Sequence, residues 1–229
     1  RGYKKTLGAS QQTSLLDFGL GLSFVNQIVR PKATWGYNAA LTYKNDTEFY
    51  QGAQFNLFAK PISQSETEME ALERQVGNYG VNSVLLGGLA GIALKTQHSK
   101  FKLNFLHLQN GESKAGTFDF VNTNLGANFE AKQYNLEYSQ RGLSSVLLSG
   151  SHFIKGGAWE INWKLAPTRS TIDDPDIRFT RFREPNQTIS SEVGLPSRIW
   201  RNLEEINLVG RVDLTRNFKL WNQDAKVKF

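Results

Sequence analysis

Between residues 134 and 182 the chain carries two long alternating runs on either side of a short glycine turn, Lys155-Gly156-Gly157. On the second run Trp159, Ile161, Trp163 and Leu165 take every other position, and Glu160, Asn162, Lys164 and Ala166 take the positions between. Successive side chains of a strand point to opposite faces, whereas a helix of 3.6 residues per turn would scatter both sets around its axis. The stretch therefore predicts a β-hairpin with one apolar wall and one polar, partly charged wall. What such a chain can be depends on what covers the apolar wall: a second layer of protein, or lipid.

The same period recurs along the chain. Leu16, Phe18, Leu20, Leu22 and Phe24 oppose Asp17, Gly19, Gly21 and Ser23. Trp35, Tyr37, Ala39, Leu41 and Tyr43 oppose Gly36, Asn38, Ala40, Thr42 and Lys44. Val84, Leu86, Ala90, Ile92 and Leu94 share a face with Gly88, and Phe101, Leu103 and Phe105 alternate with Lys102 and Asn104. Ile206, Leu208, Val212 and Leu214 oppose Asn207, Arg211, Asp213 and Thr215. The pattern lapses over 61–78, read as a polar loop in which 66–74 could form a short helix, over 110–126, and over 169–201. This gives roughly eight strands joined as successive hairpins, an all-β antiparallel up-and-down meander. Short links near 28–32, 97–100, 155–157 and 217–221 alternate with long ones at 51–80, 110–126 and 169–201, so all short turns fall at one end of the sheet.

Two architectures accommodate a meander with one apolar face. A soluble β-sandwich buries that face against a second sheet. A transmembrane barrel turns it to hydrocarbon and its polar face to the lumen. Bulk hydropathy does not separate them: the mean of -0.43 looks soluble, but barrel strands hide their apolar character in alternation. No run approaches the roughly 18 apolar residues of a membrane-spanning helix. The strands read as longer than the usual mode of about 5–6 residues. Aromatic residues recur near strand ends, at Trp35, Tyr43, Tyr134, Tyr138, Trp159 and Trp163, as interfacial girdles require. Both features favour the barrel.

Chemistry-bearing motifs are sparse. The chain has no cysteine, which removes disulfides and thiolate metal sites. A net charge of +6 is scattered along strands and turns, with no basic block interleaved with a stacking motif, so no nucleic-acid partner is expected. His98, His107 and His152 lie far apart, without a second ligand at metal spacing. Gly87, Gly88 and Gly91 are strand glycines, since neither Lys-Ser/Thr nor a helix follows them. No Gly-x-Ser-x-Gly elbow occurs. We therefore expect no enzyme, no metal and no cofactor. Asp173, Asp174 and Asp176 precede Arg178 and Arg181. They could contact a cation or ligand in an exposed loop, or form a local Asp/Arg salt-bridge network.

Several stretches together carry a family resemblance: YKNDTEFY (43–50), YGVNSVLLGGLAGIA (79–93), LHLQNGESKAG (106–116), 134–150, and above all WKLAPTRSTIDDPDIRFTRF (163–182). They resemble a TonB-dependent outer-membrane receptor. The resemblance implies a barrel of about 22 strands filled by a plug, sited in the outer membrane of a Gram-negative bacterium. It also implies active uptake of a ligand powered through TonB, with a surface lipoprotein as a candidate partner. A chain of about eight strands, starting at Arg1 and stopping within an alternating run, is then expected to be an internal barrel segment covering 1–229, with plug and TonB contacts outside it.

On that reading Leu16, Phe18, Leu20, Leu22, Trp159, Ile161, Trp163, Leu165, Ile206, Leu208, Val212 and Leu214 face lipid. Asp17, Asn38, Lys44, Lys102, Glu160, Lys164, Arg211 and Asp213 face the lumen. The rival readings are a barrel with a passive-channel, secretion or anchoring role, and a soluble β-sandwich binding module.

Overall fold

The computed structural model describes residues 6–14, 16–60, 67–123, 129–183, 188–189, 194–221 and 223–229. It forms one antiparallel sheet of nine strands: β1 (Phe18–Val29), β2 (Ala33–Gln54), β3 (Leu57–Ala59), β4 (Glu70–Thr96), β5 (Ser99–Asn122), β6 (Phe129–Ile154), β7 (Trp159–Arg183), β8 (Ser197–Leu220) and β9 (Gln223–Lys228). Neighbours in sequence are neighbours in space, except that the short β3 pairs with β4 beside β2. The meander expected from the alternation is therefore the fold, as an open sheet rather than a closed cylinder. No helix among the described residues is long and apolar enough to cross a membrane.

The short links lie at one end. Pro31 sits in the first, where Arg30 and Ala33 exchange backbone hydrogen bonds of 2.9 and 3.3 Å. Residues 155–157 form a single 3-10 turn. Lys155, Gly156 and Gly157 there have φ of 51°, 67° and 95°, a left-handed path that glycine enters without the steric cost of a Cβ.

The other end differs from expectation. β4 starts at Glu70, so Glu70–Arg74 is strand and not helix or loop. β5 runs unbroken to Asn122 and β7 to Arg183, and β8 begins at Ser197, so most of 110–126 and 169–201 is also strand. The physical reason is visible on β5. Near the short turns its large apolar residues are Phe101, Leu103 and Phe105; beyond them come Leu106, Leu108, Phe118 and Phe120, with Val121 alone returning to the first face. The odd positions carry the first set and the even positions the second. β5 has no register shift against β4 or β6, so the apolar side chains change faces along one continuous strand. A reader expecting one apolar face sees a broken pattern there, although the ladder continues.

Interruptions cluster in that far half. Register shifts fall between Tyr50 and Ala53 on β2, between Leu136 and Gln140 on β6, and between Asp174 and Ile177 on β7. Pro175 lies inside the last of these, and proline cannot donate to a ladder. Pro167 has the same effect nearer the short turns: no β6 partner pairs with 166–167.

The little conventional core there is also lies in the far half. Among the described residues Phe118, Phe120, Phe129, Ala131 and Ile177 are the buried hydrophobic ones.

Candidate functional site

Register assigns the two faces. Cross-strand partners point the same way, so the chain of pairs Trp35–Leu94–Phe101–Gly150–Trp163–Val212 defines one face. We call it the Trp163 face and its reverse the Lys164 face. Phe18, Leu20 and Leu22 share the Trp163 face with Tyr43, Leu41, Leu86 and Ile92. Trp159, Ile161 and Leu165 share it with Ile206, Leu208, Val212 and Leu214. Leu16 and Asp17 precede β1 and belong to no strand, contrary to expectation; the Asp17 carboxylate accepts from the Thr47 backbone N–H at 2.7 Å. Asn38, Lys44, Lys102, Glu160, Lys164, Arg211 and Asp213 all fall on the Lys164 face.

No second layer covers the Trp163 face among the described residues. Leu22, Leu41, Ile206, Leu208 and Val212 are 62%, 52%, 70%, 70% and 71% exposed. A soluble sandwich would bury these positions. Large apolar residues are not left bare in such number on a monomer surface without an occupant.

The apolar zone is a band, and it runs obliquely to the rows of paired residues. One row is apolar throughout, Trp35 to Val212. The row of Leu20, Tyr43 and Leu86 continues into Gln109, Gly142, Thr171 and Glu204 and so is apolar only on β1, β2 and β4. The row of Ala33, Thr96, Ser99 and His152 continues into Ile161, Leu214 and Phe229, so its large apolar residues lie only on the later strands. The band therefore slips toward the short turns from the early strands to the later ones, by a few residues in all, so the strands cross it obliquely.

Polar groups within the band are satisfied laterally. The Trp163 indole N–H donates to His152 Nε2 at 2.9 Å, which fixes the imidazole N–H on Nδ1, 3.0 Å from Ser99 Oγ. Gly150 leaves the space in which the Trp163 ring lies; a Cβ there would sit 2.4 Å from it. His107 Nδ1 meets Ser144 Oγ at 2.8 Å. Where the band ends on β7 and β8, Arg169 donates to Glu204 at 2.7 Å.

Beyond the band, the Lys164 face carries a cluster that sequence reasoning missed. Tyr50 stacks on Tyr79 at 4.6 Å, Phe55 meets Tyr79 at 5.9 Å and Phe118 at 5.6 Å. The Arg181 guanidinium lies 3.9 Å from the Phe120 ring centroid and donates through Nε to Gln133 Oε1 at 2.7 Å. The Gln133 amide donates in turn to Gln75 and Asn135 at 3.1 and 3.0 Å. Gln133, Phe179, Arg181, Gly194, Leu195 and Ser197 line a cleft of about 250 Å³. The only signal in the sequence was the even-numbered pair Phe118 and Phe120.

The aspartates do not converge, and they lie on a strand rather than in a loop. Asp173 points with Gln140 and Asn202 to the Trp163 face. Asp174, buried on the Lys164 face, accepts from Arg201 Nε at 2.8 Å. Asp176 accepts from Arg198 Nε at 2.8 Å and Arg178 Nε at 3.0 Å. Arg178 also donates to the Thr6 carbonyl and so ties the segment before β1 to the sheet. Among the described residues no group of three His, Cys, Asp or Glu could hold a metal ion. The arrangement is the salt-bridge network, and Arg181 stands apart from it, with Gln133.

Hydrogen bonds from Arg198 first, then the charges of Arg178 and Arg198, hold the Asp176 carboxyl below its usual range against the opposing cost of burial. A carboxyl depressed on folding stabilises the fold above its unfolded pKa of about 4, and loses that contribution as pH falls through the lower folded value. Amide protection around 174–178 and 197–201 should therefore drop as pH falls below about 4, while protection within the band holds. Hydrogen exchange of the wild type and Asp176→Asn checks this: the variant should lack the additional acid sensitivity.

No protein-family model, curated protein or solved structure matches this chain.

Proposed function

We propose that this chain is part of the wall of an outer-membrane β-barrel, and that the protein is a TonB-dependent transporter taking up its ligand actively. One observation carries the barrel reading. The Phe and Leu residues of β5 face the uncovered side at Phe101, Leu103 and Phe105 and the opposite side at Leu106, Leu108, Phe118 and Phe120, on a strand without a register shift. A wall leaving a bilayer has that inversion, because hydrocarbon lies outside it only over the bilayer's thickness. Further along, water lies outside and packing moves inside. The oblique course of the band agrees with strands that tilt in a barrel wall, and the short turns collected at one end agree with periplasmic turns.

The transporter assignment rests on the resemblance of 163–182 and the other quoted stretches. On this reading outer-membrane lipid covers the Trp163 face. Further strands of the barrel meet its edges, a plug meets the Lys164 face, and TonB acts on parts outside this segment. A surface lipoprotein is a candidate partner at the far end.

Fluorophores at Ile161 and Lys164, with quenchers carried on lipid chains, test the wall. Quenching is expected at Ile161 and not at Lys164; the reverse pattern refutes the facing. Deleting the inner-membrane motor should abolish uptake by the full-length protein. Unchanged uptake would indicate a passive channel instead.

A further inference from the structure

The Lys164 face is cationic where the band meets the short turns. Lys95 and Lys100 stand directly opposite each other on β4 and β5. One row away, Lys102 pairs with Ser149, Ser149 with Lys164, and Lys164 with Arg211. Lys102 and Lys164 are thus two strands apart, on the order of 10 Å. Arg211 and Lys228 share Asp213, at 2.9 and 3.4 Å. The nearby Glu160 accepts from the Asn162 amide at 2.7 Å. Among the described residues Lys95, Lys100, Lys102 and Lys164 have no carboxylate partner, and all four are exposed.

Like charges directly opposite each other on a sheet are destabilising. A four-lysine wall without counter-charges is therefore unfavourable until an anion arrives. The surrounding side chains suit a small one. Ala93, beside Lys102, is small, and Ser149 places a hydroxyl between Lys102 and Lys164. Ammonium groups around a hydroxyl-bearing floor present several donors to oxygen atoms carrying negative charge.

We propose that this wall binds a multivalent oxyanion, a solute bearing several carboxylate, phosphate or sulfate groups, as it passes through the lumen. The inference rests on the barrel reading and adds the class of solute. Its test is calorimetric titration of the full-length protein, folded in lipid vesicles, with inorganic tripolyphosphate. The wild type should bind, and more weakly as salt rises. Lys102→Gln/Lys164→Gln and, separately, Lys95→Gln/Lys100→Gln should each bind about tenfold more weakly or worse. The second variant removes a repulsive pair and so should fold at least as well as the wild type. Absence of wild-type binding, or binding as tight as the wild type's by either variant, overturns the site. A wild type that ignores tripolyphosphate while all four lysines resist amine-reactive reagents would place an acidic protein surface there instead, and also overturns it. Lipid quenching at Ile161 in the same vesicles keeps the two ideas distinguishable. Quenching without binding removes the anion site alone, and loss of quenching removes both.

Discussion

If the sheet is a barrel wall, arginine in place of Leu208 should lower the stability of the protein folded in a bilayer by about 2–4 kcal/mol, the cost of a cation at the midplane. Arginine in place of Val209, the next residue, costs under about 1 kcal/mol, because it faces the polar side. In the isolated sheet the two positions are 70% and 62% exposed. Exposure alone therefore cannot distinguish them, and a sheet with water on both faces would tolerate both changes within about 0.5 kcal/mol. Equilibrium urea titrations in vesicles, followed by tryptophan fluorescence, measure the difference. Equal effects at the two sites would refute lipid contact.

The second large effect is expected at Gly77. A Cβ there would lie 2.1 Å from the Thr117 carbonyl oxygen and 2.6 Å from the Phe118 Cα. Both are backbone atoms of the neighbouring strand, so the strands themselves must part. Gly77→Ala should cost about 2–3 kcal/mol, the upper range for overpacking. Gly88→Ala is the control. Nothing lies within 4 Å of its added carbon, and the loss of unfolded-chain freedom should make it neutral or stabilising by up to about 1 kcal/mol. The same titrations report both variants. A harmless Gly77→Ala would mean that β4 and β5 are less closely apposed than this register places them.

Within the band the fold was legible because one environment acts on each face over some ten residues. Trp159 to Leu165 and Ile206 to Leu214 alternate, with Val209 the one large apolar residue on the polar side, and Lys155-Gly156-Gly157 marks its turn by conformational need. The far half was not legible, for two reasons. The apolar positions of β5 pass from odd to even after Phe105 without any break in the ladder, which the barrel reading explains by a change of environment outside the wall. Local propensity also misleads: Glu70-Ala71-Leu72-Glu73-Arg74 consists of good helix formers, yet pairing to β3 and β5 draws it into a strand. The Asp-Pro-Asp run looked like a loop because a bulge in a strand and a turn use the same residues. The aromatic and amide cluster was beyond reach, since register alone brings Gln75 to Gln133 and Phe120 to Arg181.

The length of the strands sets a depth. β4 has 27 residues and β5 has 24, and the band takes only about 10 of each. Roughly 15 residues of paired sheet continue past it, on the order of 50 Å along the strand. On the barrel reading, anything arriving from that side meets a tall, stiff palisade long before it reaches the level of the lipid. The closed wall would then form a shaft whose upper lining is aromatic and amide-bearing, and whose lower lining is lysine.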